Sequence, residues 1–234
     1  MMAENTLYQY GTLSSLLAGA MDGSKSINDL LKHGDFGIGT LDGSDGELMI
    51  IEGQAFHARQ NGDVVKLSGN ETVPYAAVTY FDPEYQFPVV KDKSSQEIGD
   101  LIYTHLTSVN LFAAIQIKGT FKKMHVRVVP KQQKPYRPFS AIVQPEFRAE
   151  NISGTIVGFY TPELFHGAAV AGYHLHFLSD DGQFGGHIMD YELEKGIITM
   201  QTMTEYTQGF PMVDNFLNTT FDVKELLKEI EVSE

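Results

Sequence analysis

The spacing of hydrophobic residues along this chain switches between a helical and a strand-like period. Apolar residues recur at helical spacing over Leu13–Met21 and over Ser26–His33, and the second stretch opens with a capping serine. The same spacing over Ser94–Ser108 forms an apolar stripe behind a capping box of serine and glutamate. A fourth amphipathic stretch covers Asp222–Glu231. These four stretches are predicted to be short helices.

The segment Asp35–Leu67 has a strand-like pattern, with short apolar runs separated by glycine-containing turns. The pairs Asp42-Gly43, Asp45-Gly46 and Asn61-Gly62 are typical of tight hairpin turns. The segment is therefore predicted to be a β-meander of hairpins.

One carboxylate stands out in that meander. Glu47 begins the apolar run that ends at Ile51, where most residues are suited to a buried strand. A carboxylate in that position is most often an exposed edge residue. It gains a functional interpretation only if the meander faces a reactive site elsewhere in the chain.

A second hairpin is predicted from Leu111–Lys118 and Phe121–Pro130, with its turn at Lys118-Gly119. In its second strand, His125 and Arg127 share the face opposite the apolar residues. An arginine on a strand is most often solvated, but its guanidinium can also bind a carboxylate through paired hydrogen bonds. Both interpretations of Arg127 stay open on this pattern alone.

The most informative stretch is Gly172–His187, which reads GYHLHFLSDDGQFGGH. Its first part is apolar and aromatic and predicts a strand, on which His174 and His176 point the same way because they are two residues apart. An Asp-Asp-Gly turn and two glycines then bring the chain back, so a returning antiparallel strand can lay His187 beside the pair. Three neutral imidazoles on one sheet face predict a three-nitrogen metal site with an open position.

The alternative is that these are three unrelated histidines, each satisfied by its own hydrogen bonds. That is the commoner situation for any single histidine. Convergence of three of them through one glycine-rich turn favours the metal site, and the open position favours catalysis over a purely structural ion.

Composition limits the chemistry that such a site can carry. The 234 residues include no cysteine, which excludes thiol chemistry and leaves nitrogen and oxygen atoms as metal ligands. The formal net charge of −13 argues against a nucleic acid or an anionic membrane as partner. No apolar run approaches the roughly 18 residues of a membrane span, and the first ten residues do not resemble a signal peptide. These features lead us to expect a cytoplasmic protein that acts on a small molecule.

The proline-containing connector at residues 132–138 is the candidate boundary between two halves of the chain. We expect an N-terminal β-rich subdomain with helices over residues 1–133. A C-terminal β-rich subdomain over residues 134–234 would then hold the histidines and the last helix. Both halves have strands joined by Asp-Gly turns, although no internal repeat is evident.

Four segments of the chain resemble the bacterial α-acetolactate decarboxylase family. They are GDFGIGTLDGSDGEL at Gly34–Leu48, the strand that ends in Arg127–Pro130, ISGTIVGFYTP at Ile152–Pro162, and the histidine segment at Gly172–His187. The histidine segment is the most specific of them, since its glycines and its histidine spacing both agree. The resemblance implies an α+β fold with two β-rich subdomains, a mixed sheet and a small barrel-like sheet, with a few short helices. It also implies a homodimer.

The resemblance further implies roles for individual residues. In this family the motif histidines bind a zinc ion, which assigns Zn²⁺ to His174, His176 and His187. A threonine and a glutamate of the first segment also belong to the active site, as does an arginine in the second. These correspond to Thr40, Glu47 and Arg127. A carboxylate near the C-terminus approaches the metal as well, for which Glu234 is the first candidate and Glu231 the second.

The activity that the resemblance implies is the conversion of 2-acetolactate, (S)-2-hydroxy-2-methyl-3-oxobutanoate, to (R)-acetoin and carbon dioxide. Loss of the carboxyl group leaves two electrons on carbon, and the adjacent ketone can accept them to give an enediolate. A zinc ion acting as Lewis acid would stabilise that charge, so no thiamine or pyridoxal cofactor is needed. Either Glu47 or a C-terminal glutamate could supply the proton that replaces the carboxylate.

Two other classes of protein compete with this interpretation. A cupin-type metal oxygenase or isomerase also has a His-x-His pair on a strand, but that pattern includes a glutamate shortly afterwards. Here the five residues after His176 contain none. The non-enzymatic alternative is a β-rich ligand-binding module with a structural metal, which would need neither an open coordination position nor a charged pocket.

Overall fold

The computed structural model describes residues 5–137 and 139–220. Within these ranges the chain forms fifteen strands and four short α-helices. The strands are β1 (Thr6–Tyr10), β2 (Lys25–Ser26), β3 (Phe36–Leu41), β4 (Asp45–Ile51), β5 (Gln54–Ala58), β6 (Val64–Lys66), β7 (Thr72–Val73), β8 (Tyr75–Thr79), β9 (Tyr85–Val89), β10 (Lys93–Ser94), β11 (Ala113–Arg127), β12 (Glu146–Thr161), β13 (Gly172–Ser179), β14 (Gly185–Thr202) and β15 (Glu205–Gly209). The helices are α1 (Leu13–Leu17), α2 (Ile27–Leu30), α3 (Ser95–His105) and α4 (Asp214–Leu217), with 3₁₀ turns at Phe139–Ala141 and Glu163–Phe165.

The first large sheet has seven strands in the order β15-β1-β8-β3-β4-β5-β6. Its last four strands, β3 to β6, pair antiparallel in chain order, which confirms the predicted meander. Strand β1 pairs antiparallel with β8 but parallel with β15, so the sheet is mixed. Strands β2 and β7 form a small separate ribbon.

The second large sheet closes on itself. Strands β11, β12, β13 and β14 pair antiparallel in turn, and β14 returns to pair with both β11 and β13. This ring is the small barrel-like sheet that the resemblance implied, and β9 and β10 extend it along β14. The α+β architecture with a mixed sheet, a barrel-like sheet and short helices is therefore confirmed.

The predicted hairpin around Lys118-Gly119 is wrong. Residues 113–127 form the single strand β11, and Gly119 lies in its middle, opposite Gly154 on one side and Gly196 on the other. A Cβ atom at Gly119 would come within 2.4 Å of the Lys195 carbonyl oxygen, so the glycine permits close strand approach and makes no turn.

Helix α3 keeps the predicted capping box, since the Ser94 side chain accepts from the Glu97 backbone and the Glu97 side chain accepts from the Ser94 backbone. Helices α1 and α2 are shorter than predicted and end at Leu17 and Leu30. Near the end of the described residues the chain forms the one-turn helix α4. The helix predicted over Asp222–Glu231 lies outside the described residues.

The hydrophobic core has a part inside the barrel and a part between the barrel and the seven-stranded sheet. Inward-facing residues such as Ile117, Phe121 and Phe177 fill the barrel. On the outer barrel surface, Val157 and Phe159 pack with residues of the seven-stranded sheet. The seven-stranded sheet therefore packs on the outer surface of the barrel. Side chains on the outer face of β12 and β13 lie between the two sheets.

The predicted boundary between residues 133 and 134 stays a prediction. Strand β11 precedes it and pairs with β12 and β14, which follow it. Among the described residues, no helix is long and apolar enough to cross a membrane.

Candidate active site

Three histidines meet between the two sheets. His174 and His176 lie on β13, and His187 on β14 is the direct cross-strand neighbour of His176. Their ring centroids lie 5.2, 5.1 and 5.5 Å apart in pairs, and one ligand nitrogen from each lies within 4.8 Å of the others. The structure therefore brings together the three residues that the sequence predicted to converge.

The alternation of side chains along β13 explains why they face this way. Leu175 and Phe177 point into the barrel core, so His174 and His176 point outwards, towards the seven-stranded sheet. The region is closed, with His174 only 9% and His176 only 1% exposed. The imidazoles sit in the layer between the sheets.

A hydrogen bond fixes the tautomer of the His176 imidazole. The Nδ1 atom of His176 lies 2.9 Å from the carbonyl oxygen of Leu48 on β4. A carbonyl only accepts, so Nδ1 carries the proton and Nε2 keeps its lone pair. Within the described part of the chain, His176 Nε2 and His174 Nδ1 are buried atoms without a hydrogen-bond partner. Bare imidazole nitrogens facing one another suit a metal ion of the zinc type.

The electrostatics keep the three rings neutral. Burial lowers the pKa of His176 to about 4, and the positive charge of Arg127 adds to this, although the Leu48 hydrogen bond opposes it. Burial also lowers the pKa of His174 and of His187 well below the usual range, with the neighbouring histidines and Arg127 acting in the same direction. Neutral imidazole is the form that binds a metal.

Glu47 belongs to this site. It is 5% exposed, so the expectation of an exposed edge residue is wrong. Its Oε1 atom accepts a hydrogen bond of 3.0 Å from the backbone N–H of Val129, and its Oε2 atom lies 3.4 Å from His176 Nε2. The carboxylate is thus held against the histidine cluster from the opposite sheet.

Thr40 and Arg127 are the two other predicted catalytic residues that the structure describes. Thr40 lies on β3 and donates its hydroxyl proton to the Gly46 carbonyl oxygen at 2.7 Å. Arg127 is the cross-strand neighbour of His187, and its Nη2 atom donates to His187 Nε2 at 3.4 Å. The half-buried guanidinium lines the site, which favours the functional interpretation over a solvated arginine.

These groups line one pocket between the sheets, with a cavity volume of about 40 Å³. One side of it is apolar and is formed by α1, Val129 and Phe139. Six further lining residues were not predicted as site residues: Gly39, Ser44, Tyr75, Val129, Phe139 and Gln144. Three leucines of α1 line the pocket as well: Leu13, Leu16 and Leu17.

Other candidate groups lie elsewhere. His105 stacks on Phe87, with ring centroids 4.3 Å apart, and His125 lies 2.9 Å from a carboxylate oxygen of Glu146. Neither lines the pocket. Glu231 and Glu234 lie outside the described residues.

The arrangement has counterparts among known proteins. A family model described as alpha-acetolactate decarboxylase matches residues 7–223, which include every residue of the pocket. The chain is 45% identical over 234 residues to the alpha-acetolactate decarboxylase of Streptococcus thermophilus, a match that covers 97% of this chain and 98% of that protein. It is 44% identical over 237 residues to the enzyme of the same name from Lactococcus lactis subsp. cremoris, with 100% of both covered.

Solved structures agree with these matches. The crystal structure of alpha-acetolactate decarboxylase from Bacillus subtilis strain 168 superposes with a TM-score of 0.95 at 37% identity, covering 98% of this chain and 99% of that one. A Staphylococcus aureus protein described as similar to alpha-acetolactate decarboxylase gives a TM-score of 0.95 at 42% identity, covering 98% and 100%. These similarities favour the decarboxylase interpretation over a cupin-type enzyme or a non-enzymatic binding module.

Proposed function

This chain belongs to the alpha-acetolactate decarboxylase family, and we propose that it converts (S)-2-acetolactate to (R)-acetoin and carbon dioxide. The observation that carries the proposal is the set of three neutral imidazoles, two of them buried and the third partly buried, that line one pocket with a carboxylate and a guanidinium. A small 2-hydroxy-3-oxo acid needs such groups for its polar oxygens and an apolar wall for its methyl groups.

The histidine cluster fits a zinc ion. Its donor set is three nitrogens, and two of the buried nitrogen atoms have no hydrogen-bond partner among the described residues. His174, His176 and His187 would hold the ion. Zinc bound there would supply a positive charge that stabilises negative charge on the substrate oxygens as carbon dioxide leaves.

The reaction breaks the bond between the carboxyl carbon and C-2 of the substrate. The electron pair moves onto the adjacent ketone, and a proton must then be added at carbon to complete acetoin. The chain therefore has to do three things: hold the negative charge, keep water away from the reacting carbon, and provide one proton from a defined direction.

Arg127 supports the first task. Its guanidinium lies beside His187, where it adds positive charge to a pocket that takes up an anionic substrate. We propose that it orients polar oxygens of the substrate, for which its planar group of donors is suited.

Glu47 supports the proton transfer. Its carboxyl group is buried, anchored by the Val129 N–H and close to His176, so it faces the same space as the histidines. We propose Glu47 as the group that delivers the proton to carbon, and Thr40 as a residue that shapes the neighbouring turn through its bond to Gly46. Glu234, and Glu231 after it, remain proposals for a second carboxylate, because both lie outside the described residues.

The apolar side of the pocket supports the exclusion of water. Leu13, Leu16, Leu17 and Phe139 are buried and line the space opposite the charged groups. Bulk water could protonate the reacting carbon from either side. An apolar wall that excludes water therefore favours one enantiomer of the product.

The test is product identification. Purified protein is mixed with racemic acetolactate, and carbon dioxide release and the acetoin enantiomers are followed, with an enzyme-free reaction as control for spontaneous decay. The proposal predicts enzyme-dependent release of carbon dioxide with formation of (R)-acetoin. Unchanged acetolactate, or racemic acetoin at the spontaneous rate, would refute it.

Two further proposals are that the chain forms a homodimer, as the resemblance implies, and that it works in the cytoplasm, as expected from the sequence. Light scattering coupled to size-exclusion chromatography tests the first. Fractionation of the cells that produce it tests the second.

A further inference from the structure

One buried hydroxyl group in the pocket wall has no partner. Ser44 is 1% exposed, and its Oγ atom makes no hydrogen bond with the described residues. Other buried hydroxyls near it are committed: Thr40 donates to the Gly46 carbonyl oxygen at 2.7 Å, and Ser15 donates to the Thr12 carbonyl oxygen at 2.8 Å. Burying an unpaired hydroxyl costs free energy, so the position calls for a partner that arrives from the pocket.

The segment that carries Ser44 is fixed in place. It joins β3 to β4, and its neighbours are tied to other elements at both ends: the Gly43 N–H donates to the Met21 carbonyl oxygen at 2.8 Å, and the Gly46 N–H donates to the Val129 carbonyl oxygen at 2.9 Å. Ser44 itself has a φ of 52°, a conformation that favours glycine or asparagine over serine. Hydrogen bonds on both sides of Ser44 therefore hold its hydroxyl in place at the pocket wall.

We propose that Ser44 is a substrate-binding residue whose hydroxyl donates a hydrogen bond to the carboxylate of the bound 2-hydroxy-3-oxo acid. This inference rests on the proposed function. The ketone and hydroxyl oxygens of that substrate are the groups expected to face the histidines, which leaves the carboxylate to be met by other donors. The Thr40 proton is already used, whereas the Ser44 proton is available.

The proposal has a specific kinetic consequence. The carboxylate is charged in the bound substrate and becomes neutral carbon dioxide as the reaction proceeds, so a bond to it is strongest before the transition state. Removing that bond weakens substrate binding without slowing the chemical step. Ser44→Ala should therefore raise KM roughly tenfold, as for loss of one hydrogen bond to a charged group, and leave kcat unchanged or raise it.

Ligand binding gives a readout that is independent of turnover. 2-Hydroxy-2-methylbutanoate keeps the carboxylate but lacks the ketone, and acetoin keeps the ketone but lacks the carboxylate. Used as competitive inhibitors, these two compounds report separately on the binding of the carboxylate end and of the ketone end of the substrate. Ser44→Ala should raise the inhibition constant of 2-hydroxy-2-methylbutanoate roughly tenfold and leave that of acetoin unchanged.

Thermal stability distinguishes the proposed substrate-binding role of Ser44 from a structural role. Because the hydroxyl is unpaired, Ser44→Ala should leave Tm unchanged or raise it. Ser179 is the matched control, since it is 3% exposed and its hydroxyl donates to Asp181 at 2.6 Å. Ser179→Ala should lower Tm and leave both inhibition constants unchanged. Ser44→Gly removes the same hydroxyl and tolerates the positive φ, so it keeps the test usable if the alanine variant fails to fold.

The outcomes separate the inference from the function on which it rests. If the wild-type chain does not decarboxylate acetolactate, the proposed function fails. If the wild-type chain is active and the Ser44 variants raise KM and the 2-hydroxy-2-methylbutanoate constant selectively, the inference holds. Unchanged constants, equal weakening of both inhibitors, or a fall in kcat at constant KM would overturn the assignment of Ser44 to the carboxylate.

Discussion

The two walls of the pocket hold their functional groups in different ways. The barrel wall consists of His174, His176, His187 and Arg127, and the sheet wall consists of Thr40, Ser44 and Glu47. The barrel wall lies on β11, β13 and β14, where His176 pairs with His187 and His187 pairs with Arg127 across antiparallel ladders, with a register shift between His125 and Val126. The sheet wall lies where β3 turns into β4, with a register shift between Gly39 and Leu41 and a serine at positive φ.

The difference indicates a division of labour. Paired strands hold side chains at fixed spacing, which suits ligands that must converge on one ion. A turn holds its groups through individual hydrogen bonds, such as those of Gly46 and Val129, and its side chains can change without disturbing a sheet. We expect metal binding to depend on the histidines of the barrel wall, and substrate binding and protonation to depend on the sheet wall together with Arg127.

The largest expected effect comes from the barrel wall. His174→Ala removes one of three nitrogen ligands, so zinc content and activity should be lost together, with a rate reduction on the order of 10³ or more. His105→Ala is the control, because that ring stacks on Phe87 outside the pocket. Elemental analysis and carbon dioxide release measure both quantities. An active, metal-free His174→Ala protein would contradict the proposed division of roles between the barrel wall and the sheet wall.

Glu47→Gln tests the sheet wall. The change keeps shape and removes the transferable proton, so kcat should fall about 10²- to 10⁴-fold while the zinc content stays unchanged. Glu52→Gln is the matched control, because Glu52 follows the same strand and pairs with Lys118 at the surface. Loss of zinc in the Glu47 variant would show that the sheet wall holds the metal as well.

Arg127→Lys separates charge from geometry in the barrel wall. Lysine keeps the positive charge but loses the planar set of donors, so kcat/KM should fall roughly 10- to 100-fold with zinc retained. Arg148→Lys is the control, since that exposed arginine on β12 pairs with Glu146. Steady-state kinetics that match the wild type would reduce Arg127 to a residue without a role in substrate binding.

The smallest effect on the reaction is expected from the barrel scaffold itself. Gly119→Ala would place a Cβ atom 2.4 Å from the Lys195 carbonyl oxygen and 3.0 Å from Leu193 Cδ1. The clash should destabilise the fold by about 1–3 kcal/mol without changing the zinc content. Lys118→Ala on the same strand removes only a surface ion pair and should cost less than about 1 kcal/mol. Thermal unfolding compares the two, and equal Tm values would contradict the close packing inferred at Gly119.

The sequence predicted the barrel wall well because a strand has a period of two. The His-x-His pair, the Asp-Gly turn and the returning strand together place three imidazoles on one face without any long-range information. Glu47 and Thr40 came from the family resemblance, since local pattern alone favours an exposed edge for Glu47.

The errors arose where local pattern and tertiary packing disagree. Lys118-Gly119 has the composition of a turn, but Gly119 lies between two neighbouring strands whose backbones leave no room for a side chain. Ser44 was missed because a serine between glycine and aspartate is typical of an exposed turn. Its burial follows from the segment around Val129 covering that turn, a contact between residues more than eighty positions apart.

The central claim is that the three histidines hold the zinc ion on which decarboxylation depends. The most direct test is to titrate metal-free protein with zinc while carbon dioxide release from acetolactate is recorded. We expect no enzyme-dependent release without zinc, and a rise that levels off at about one zinc per chain. A metal-free protein that turns over at the full rate, or a rate that does not follow zinc content, would contradict it.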